Sequence, residues 1–133
     1  MINFHFLIYI ISEKMKDCFV ANIESMTEKN NNFRKVLYTA KNMQLVVMSL
    51  KKGEEIGMEN HKNVDQFIRV ESGHGYAMLN GKKYKLADGF AVVIPAGTEH
   101  NIVNTSQVNK MKLYTIYTPP EHAPNKVEKN KLE

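Results

Sequence analysis

The pattern of polar and apolar positions changes near residue 33. From there on, short runs of apolar and β-branched residues are broken by Gly, Asn and Asp. FRKVLYT, MQLVVMSL, FIRVES, GYAML, KKYKL, AVVIP, HNIVN and KLYTIYT each read as a strand, because such residues fit a pleated, half-buried surface. No part of this region sustains the 3.6-residue period of a helix. The breaks carry turn chemistry. Asn80-Gly81 is the strongest hairpin signal, since a type I′ turn needs φ > 0 at both central positions. Gly53 and Asp88-Gly89 end two further runs. Many short strands with regular turns predict an all-β sandwich or barrel. Upstream, SMTEKN (25–30) fits one helical turn, with Ser25 and Glu28 as a capping box. Downstream, Pro119 and Pro120 cannot donate to a ladder, so the chain is expected to leave the sheet after Tyr117. The chain thus divides into an N-terminal appendage (1–32), a β-barrel (33–118) and a C-terminal tail (119–133).

The alternation also locates chemistry. In MENHKNVDQF (58–67), Glu59 and His61 are two apart and point the same way along a strand. After a turn, Gln66 opens a strand in which it shares a face with Ile68 and Val70. That face looks inward and takes Gln66 with it. An inward amide needs partners, and an inward carboxylate is costly without one. Either these groups satisfy each other around water, or a cation sits among them. In HNIVN (100–104), His100, Ile102 and Asn104 share one face, just after a turn shaped by Pro95 and Gly97. If that strand lies beside residues 59–61, Glu59, His61, Gln66 and His100 form one group. Two imidazoles, a carboxylate and an amide oxygen suit Zn²⁺, Mn²⁺, Fe²⁺, Ni²⁺ or Co²⁺ without choosing among them.

Composition narrows the class. A chain of 133 residues, 43% apolar and 24% charged, is one ordinary globular domain with a core of its own. Cys18 is the lone cysteine, which excludes an intramolecular disulfide and a thiolate-rich zinc cage and makes a reducing, cytoplasmic setting the expectation. The net charge of +4 is dispersed, and the lysines of KVEKNKLE (126–133) alternate with Glu. No basic stripe with groove-reading elements is present, so nucleic acid is not expected as a partner. The run FHFLIYII (4–11) is far shorter than the roughly 20 apolar residues that span a bilayer. It lacks a basic leader and a small-residue cleavage site. Residues 1–14 read as an appendage without a catalytic role: either sequence upstream of a start at Met15, or an extra strand pairing with a sheet edge.

Two spacings then fall into register. The first is Gly53, five residues, Glu59-Asn60-His61, four residues, Gln66, six residues, Gly73. The second is Gly89, five residues, Pro95-Ala96-Gly97, two residues, His100, three residues, Asn104. Together they resemble the paired motifs of a small single-domain cupin, over about residues 33–118. The second motif is met at every fixed position. In the first, Glu59 stands where the family has a His, and Gln66 where it has a Glu.

The resemblance implies a double-stranded β-helix, or jelly-roll barrel, with a divalent metal held by Glu59, His61, Gln66 and His100. The inventory is similar to the zinc site of phosphomannose isomerases. It points to a metal-dependent isomerase or epimerase acting on a sugar or sugar phosphate, with Glu59 the candidate to move a proton. A non-catalytic small-ligand binding or storage cupin and an Fe-dependent oxygenase are the alternatives. A homodimer is the assembly the family suggests, with Phe67 on an outer face that a second subunit could cover.

Other polar positions have plainer readings. His74 lies at a turn and is expected to be exposed, and Glu99 should face away from His100. His122 is of more interest, because Pro119 and Pro120 fix its approach. Tyr76, Met78 and Tyr84 are expected in the core, with a place lining the barrel mouth as the alternative. Asn104-Thr105-Ser106 matches a glycosylation sequon by chance.

Overall fold

The computed structural model describes residues 17–131 of the chain. The expectation for residues 1–14 lies outside them. Every strand expected from the alternation forms: β1 (Arg34–Thr39), β2 (Gln44–Leu50), β3 (Asp65–Ser72), β4 (Gly75–Leu79), β5 (Lys82–Leu86), β6 (Ala91–Ile94), β7 (His100–Asn104) and β8 (Met111–Thr118). Pairing is antiparallel throughout. The larger sheet runs β6-β3-β8-β2-β1 and ends on a further strand, β9 (Val127–Glu128). The smaller sheet runs β5-β4-β7. Bridges from Glu55 to Val103 and from Glu59 to His100 add residues 55–59 to the free edge of β7.

Inner faces of both sheets supply one core, in the arrangement of a jelly roll. Val46, Met48, Leu50, Ile68, Val70, Leu113 and Tyr117 come from the larger sheet, and Ala77, Leu86 and Ile102 from the smaller. Apolar area removed from water in this core is the main stabilising term. The hairpin at Asn80-Gly81 has φ of 49° and 77°, as the turn type requires. At Gly75 the strands approach so closely that a Cβ would lie 1.9 Å from the carbonyl oxygen of Val103.

Four features differ from the sequence expectation. The helix α1 runs over Ile23–Lys29, and its cap is Asn22, whose side chain accepts from the Ser25 N–H at 3.0 Å. Asn caps at least as well as Ser, so the helix begins earlier than Ser25 would have it. It packs on β2, β3 and β8, which accounts for a β2 buried on both faces. Glu59 and His61 do not lie in a continuous strand; only Glu59 bridges to β7. Tyr76 and Met78 lie on the face opposite the buried Ala77, and Tyr84, which pairs with Ala77 across the hairpin, is exposed. There Tyr76 stacks beneath the Lys83 ammonium at 4.1 Å. Finally, the chain leaves the sheet at Pro119 but returns as β9 on β1, where Arg34 and Glu128 pair at 2.5 Å. The Thr118–Pro119 peptide is cis.

Candidate metal centre

His100 opens β7 on its inner face, as the alternation requires, and only 4% of it is exposed. The turn before it is fixed by backbone contacts to the other motif. Gly97 N–H donates to the His61 carbonyl at 2.8 Å, and Ala96 N–H to the Asp65 carboxylate at 2.8 Å. Glu59 and His100 exchange two backbone hydrogen bonds, of 2.8 and 2.9 Å. These ties bring the 59–61 segment against the start of β7.

The result is a cluster in which one ligand atom each of Glu59, His61 and His100 lies within 4.8 Å of the others. The imidazole rings of His61 and His100 stand 5.3 Å apart. His100 Nδ1 meets the Thr98 carbonyl at 2.8 Å. A carbonyl only accepts, so Nδ1 carries the proton and Nε2 of the neutral ring keeps a lone pair. That Nε2 is buried and has no partner. His61 Nε2 is also buried without a hydrogen bond, although Glu59 Oε2 is 2.7 Å away; the contact is close but not aligned as a donor and acceptor.

Gln66 is buried on the inner face of β3, beside Tyr117 of β8. Its amide nitrogen donates to Thr115 Oγ1 at 3.0 Å, which leaves Oε1 buried and unpartnered. The Tyr117 ring lies edge-on to that of His61 at 5.9 Å. Two buried imidazole nitrogens without hydrogen-bond partners beside a carboxylate are what a cation site needs and what a settled polar core avoids, and Gln66 Oε1 is a further buried group left unpartnered. His74 and Glu99 are exposed, as expected. Asn104 is fully buried, and its amide donates to three carbonyls, those of Leu50, Lys51 and Asn109. It ties β7 to neighbouring loops and presents nothing to a glycosylation enzyme.

Residues outside the predicted ligand set complete the surroundings. Arg34 Nη2 lies 3.8 Å from Glu59 Oε1. Glu121 Oε1 lies 3.1 Å from His61 Nδ1. The His122 ring packs edge-on to Tyr117 at 5.1 Å. Burial, then the Arg34 charge, pushes the His122 pKa down to about 4. Burial pushes the Tyr117 hydroxyl well above its usual range, so it stays protonated. Only His122 had a signal in the sequence, from the two prolines before it. Arg34 and Glu121 come from opposite ends of the β-domain, and no local pattern links them to residues 59–61. A surface groove of about 740 Å³ is lined by residues such as Glu28, His74, Asp88 and Lys110, none of which belongs to this cluster.

Residues 46–117 match the family model described as Cupin domain. The chain is 45% identical over 121 residues to the uncharacterized protein YrkC of Bacillus subtilis (strain 168), covering 86% of this chain and 64% of YrkC. It therefore spans somewhat under two thirds of that relative's length. The uncharacterized protein L612 of Acanthamoeba polyphaga mimivirus is 45% identical over 114 residues, 83% of this chain and 71% of the viral protein. The crystal structure of BH2720 from Bacillus halodurans superposes with a TM-score of 0.84 at 40% identity, over 86% of this chain and 91% of that one. Among the described residues, no helix is long and apolar enough to cross a membrane.

Proposed function

The chain belongs to the cupin domain family, and on that premise we propose that it is a metal-dependent isomerase or epimerase of a sugar or sugar phosphate. Glu59, His61, Gln66 and His100 hold a divalent ion. One observation carries the metal reading. His61 Nε2 and His100 Nε2 are buried without a hydrogen-bond partner in a cluster with the Glu59 carboxylate, and Gln66 Oε1 is likewise buried and unpartnered. Such orphaned groups cost stability unless a ligand engages them. A pocket that had lost its metal and settled around its own hydrogen bonds would pair them.

When bound, the ion supplies Lewis-acid polarisation of a carbonyl or hydroxyl oxygen. The protein groups have separate tasks. His61 and His100 present Nε2, and Gln66 presents Oε1. Glu59 divides its oxygens: Oε2 stands beside His61 Nε2, while Oε1 faces Arg34. Glu59 Oε1 is the group placed to take a proton from the carbon next to the carbonyl and return it to the neighbouring carbon. The inventory of Glu, Gln and two His is similar to that of phosphomannose isomerases, which supports a sugar-type substrate. The outward Phe67 and Tyr114, with rings 6.2 Å apart, and Val93, 68% exposed, support a homodimer through the larger sheet, which light scattering tests. Cys18 is free and exposed, in keeping with cytoplasmic residence.

A second reading has its own observation. Glu59, His61 and His100 alone make up two histidines and one carboxylate, the set that non-haem Fe²⁺ oxygenases use. Elemental analysis of the purified protein beside Glu59→Ala and His100→Ala tests the site: the wild type carries close to one metal per chain, and both variants lose it. A metal-free wild type would defeat both readings. NMR of metal-loaded protein with aldoses, ketoses and sugar phosphates then tests the reaction. Turnover of none of them defeats the isomerase; oxygen uptake by the iron-loaded form would favour the second reading.

A further inference from the structure

Glu121 comes from beyond the last long strand, yet its carboxylate returns to the cluster. Its Oε1 lies 3.1 Å from His61 Nδ1. The placement is enforced by Gln44, which opens β2 and is fully buried. Gln44 Oε1 accepts from the backbone N–H of Glu121 at 3.2 Å and of His122 at 2.9 Å. Gln44 Nε2 donates to the His122 carbonyl at 2.7 Å and to Thr39 Oγ1 at 2.9 Å. A core amide thus spends its donors and its acceptor mainly on a segment outside the sheet. His122, so placed, packs on Tyr117, and Tyr117 packs on His61.

A neutral imidazole carries one ring proton. At His61 neither ring nitrogen makes an aligned hydrogen bond: Nε2 lies 2.7 Å from Glu59 Oε2 and Nδ1 3.1 Å from Glu121 Oε1, both as close charge contacts. Nδ1 faces a carboxylate, which only accepts. An ion held by the cluster takes the Nε2 lone pair, which requires the proton on Nδ1, beside the Glu121 carboxylate. His100 reaches the same state through the Thr98 carbonyl. The two imidazoles are thus oriented by different acceptors, a backbone carbonyl for one and a carboxylate from the tail for the other.

We propose that Glu121 is a positioning residue that fixes the ring orientation and the Nδ1–H tautomer of His61, and that residues 119–122, anchored by Gln44, are part of the site. The His61 ring stands between Glu121 and the cluster, so Glu121 orients a ligand and does not meet substrate. The tautomer of His61 rests on the metal reading above; the placement of Glu121 through Gln44 does not. Carboxylates behind ligand histidines raise their basicity, and losing one weakens metal binding by roughly 10–100-fold.

The test uses ¹⁵N NMR of the full-length, metal-free protein above the pH at which imidazole ionises, followed by Zn²⁺ titration against a competing chelator. Glu121 is solvent-facing, with 30% of its side chain accessible, so Glu121→Ala should fold. Wild-type His61 is expected in the Nδ1–H form. Glu121→Ala populates the Nε2–H form and weakens Zn²⁺ binding roughly 10–100-fold. Glu121→Gln, which keeps an acceptor oxygen, restores the tautomer and most of the affinity. A wild-type ring in the Nε2–H form, or a Glu121→Ala protein unchanged in tautomer and affinity, overturns the proposal. A tautomer that depends on Glu121 in a protein that takes up no Zn²⁺ supports the positioning role while defeating the metal reading.

Discussion

Replacing Gln44 by Leu isolates the hydrogen bonds that hold the post-barrel segment. The side chain is fully buried, and Leu fills nearly the same volume, so no large cavity opens. Four hydrogen bonds disappear: two accepted from Glu121 and His122, and two donated to His122 and Thr39. At about 1 kcal/mol net each, the upper bound is about 4 kcal/mol. Glu121 is exposed and His122 half-buried, so the freed backbone groups reach water once the segment lifts. That relief brings the expected loss to about 2–3 kcal/mol. An unfolding entropy of about 2.1 cal/mol/K per residue gives about 0.28 kcal/mol/K for 133 residues, hence a Tm lower by about 7–11 °C. Thermal unfolding of the metal-free protein by circular dichroism measures it. Hydrogen exchange at the Glu121 and His122 amides locates it. A Tm within about 3 °C of the wild type, with those amides as protected as before, would refute the anchoring role, since that shift is under about 1 kcal/mol.

Gly75→Ala should cost about 3 kcal/mol or more, seen as a deep Tm loss or poor folding, because the new Cβ meets the Val103 carbonyl, which cannot swing aside. Gly53→Ala, at φ +71° but in open space, should cost only about 1 kcal/mol in the same melts. Acid should destabilise the protein through two groups. His122 is held neutral in the fold, so as pH falls from 6.5 toward about 4 the unfolded chain takes the proton first and the urea midpoint drops; His122→Asn should flatten that limb. Burial pushes the Glu128 carboxyl up, but the Arg34 hydrogen bond and charge outweigh it and hold it below the usual range, so its stabilisation is lost as pH falls through the folded pKa. Zn²⁺ at about 100 times its Kd should add about 2.7 kcal/mol, close to 10 °C in Tm. A chelator should reverse the gain, and His100→Ala should not show it.

The strands were legible because alternation is set by burial, and burial is decided residue by residue. Gln66 could be read as inward for the same reason, from Ile68 and Val70 beside it. The pairing of Glu59 with His100 needed two spacings in register, and the structure confirms the contact at the level of single hydrogen bonds. Other features were illegible because their causes are not local. The helix cap at Asn22 sits in a stretch with no apolar period to flag it. β9 is only two residues long, and its partner lies more than ninety positions away, so nothing in KVEKNKLE announces a strand. Gln44 precedes an almost continuous apolar run and could have been suspected of a buried role; its partners could not have been named.

The return of the tail to β1 has a practical corollary for anyone shortening or transplanting this domain. The stretch 46–117 that matches the family model contains all four proposed ligands. A minimal fragment cut to those limits would nevertheless omit Arg34, Gln44, Glu121 and Glu128, which steady Glu59 and His61 from either side of the matched span. Such a fragment would keep the signature by which the family is detected and discard its scaffolding.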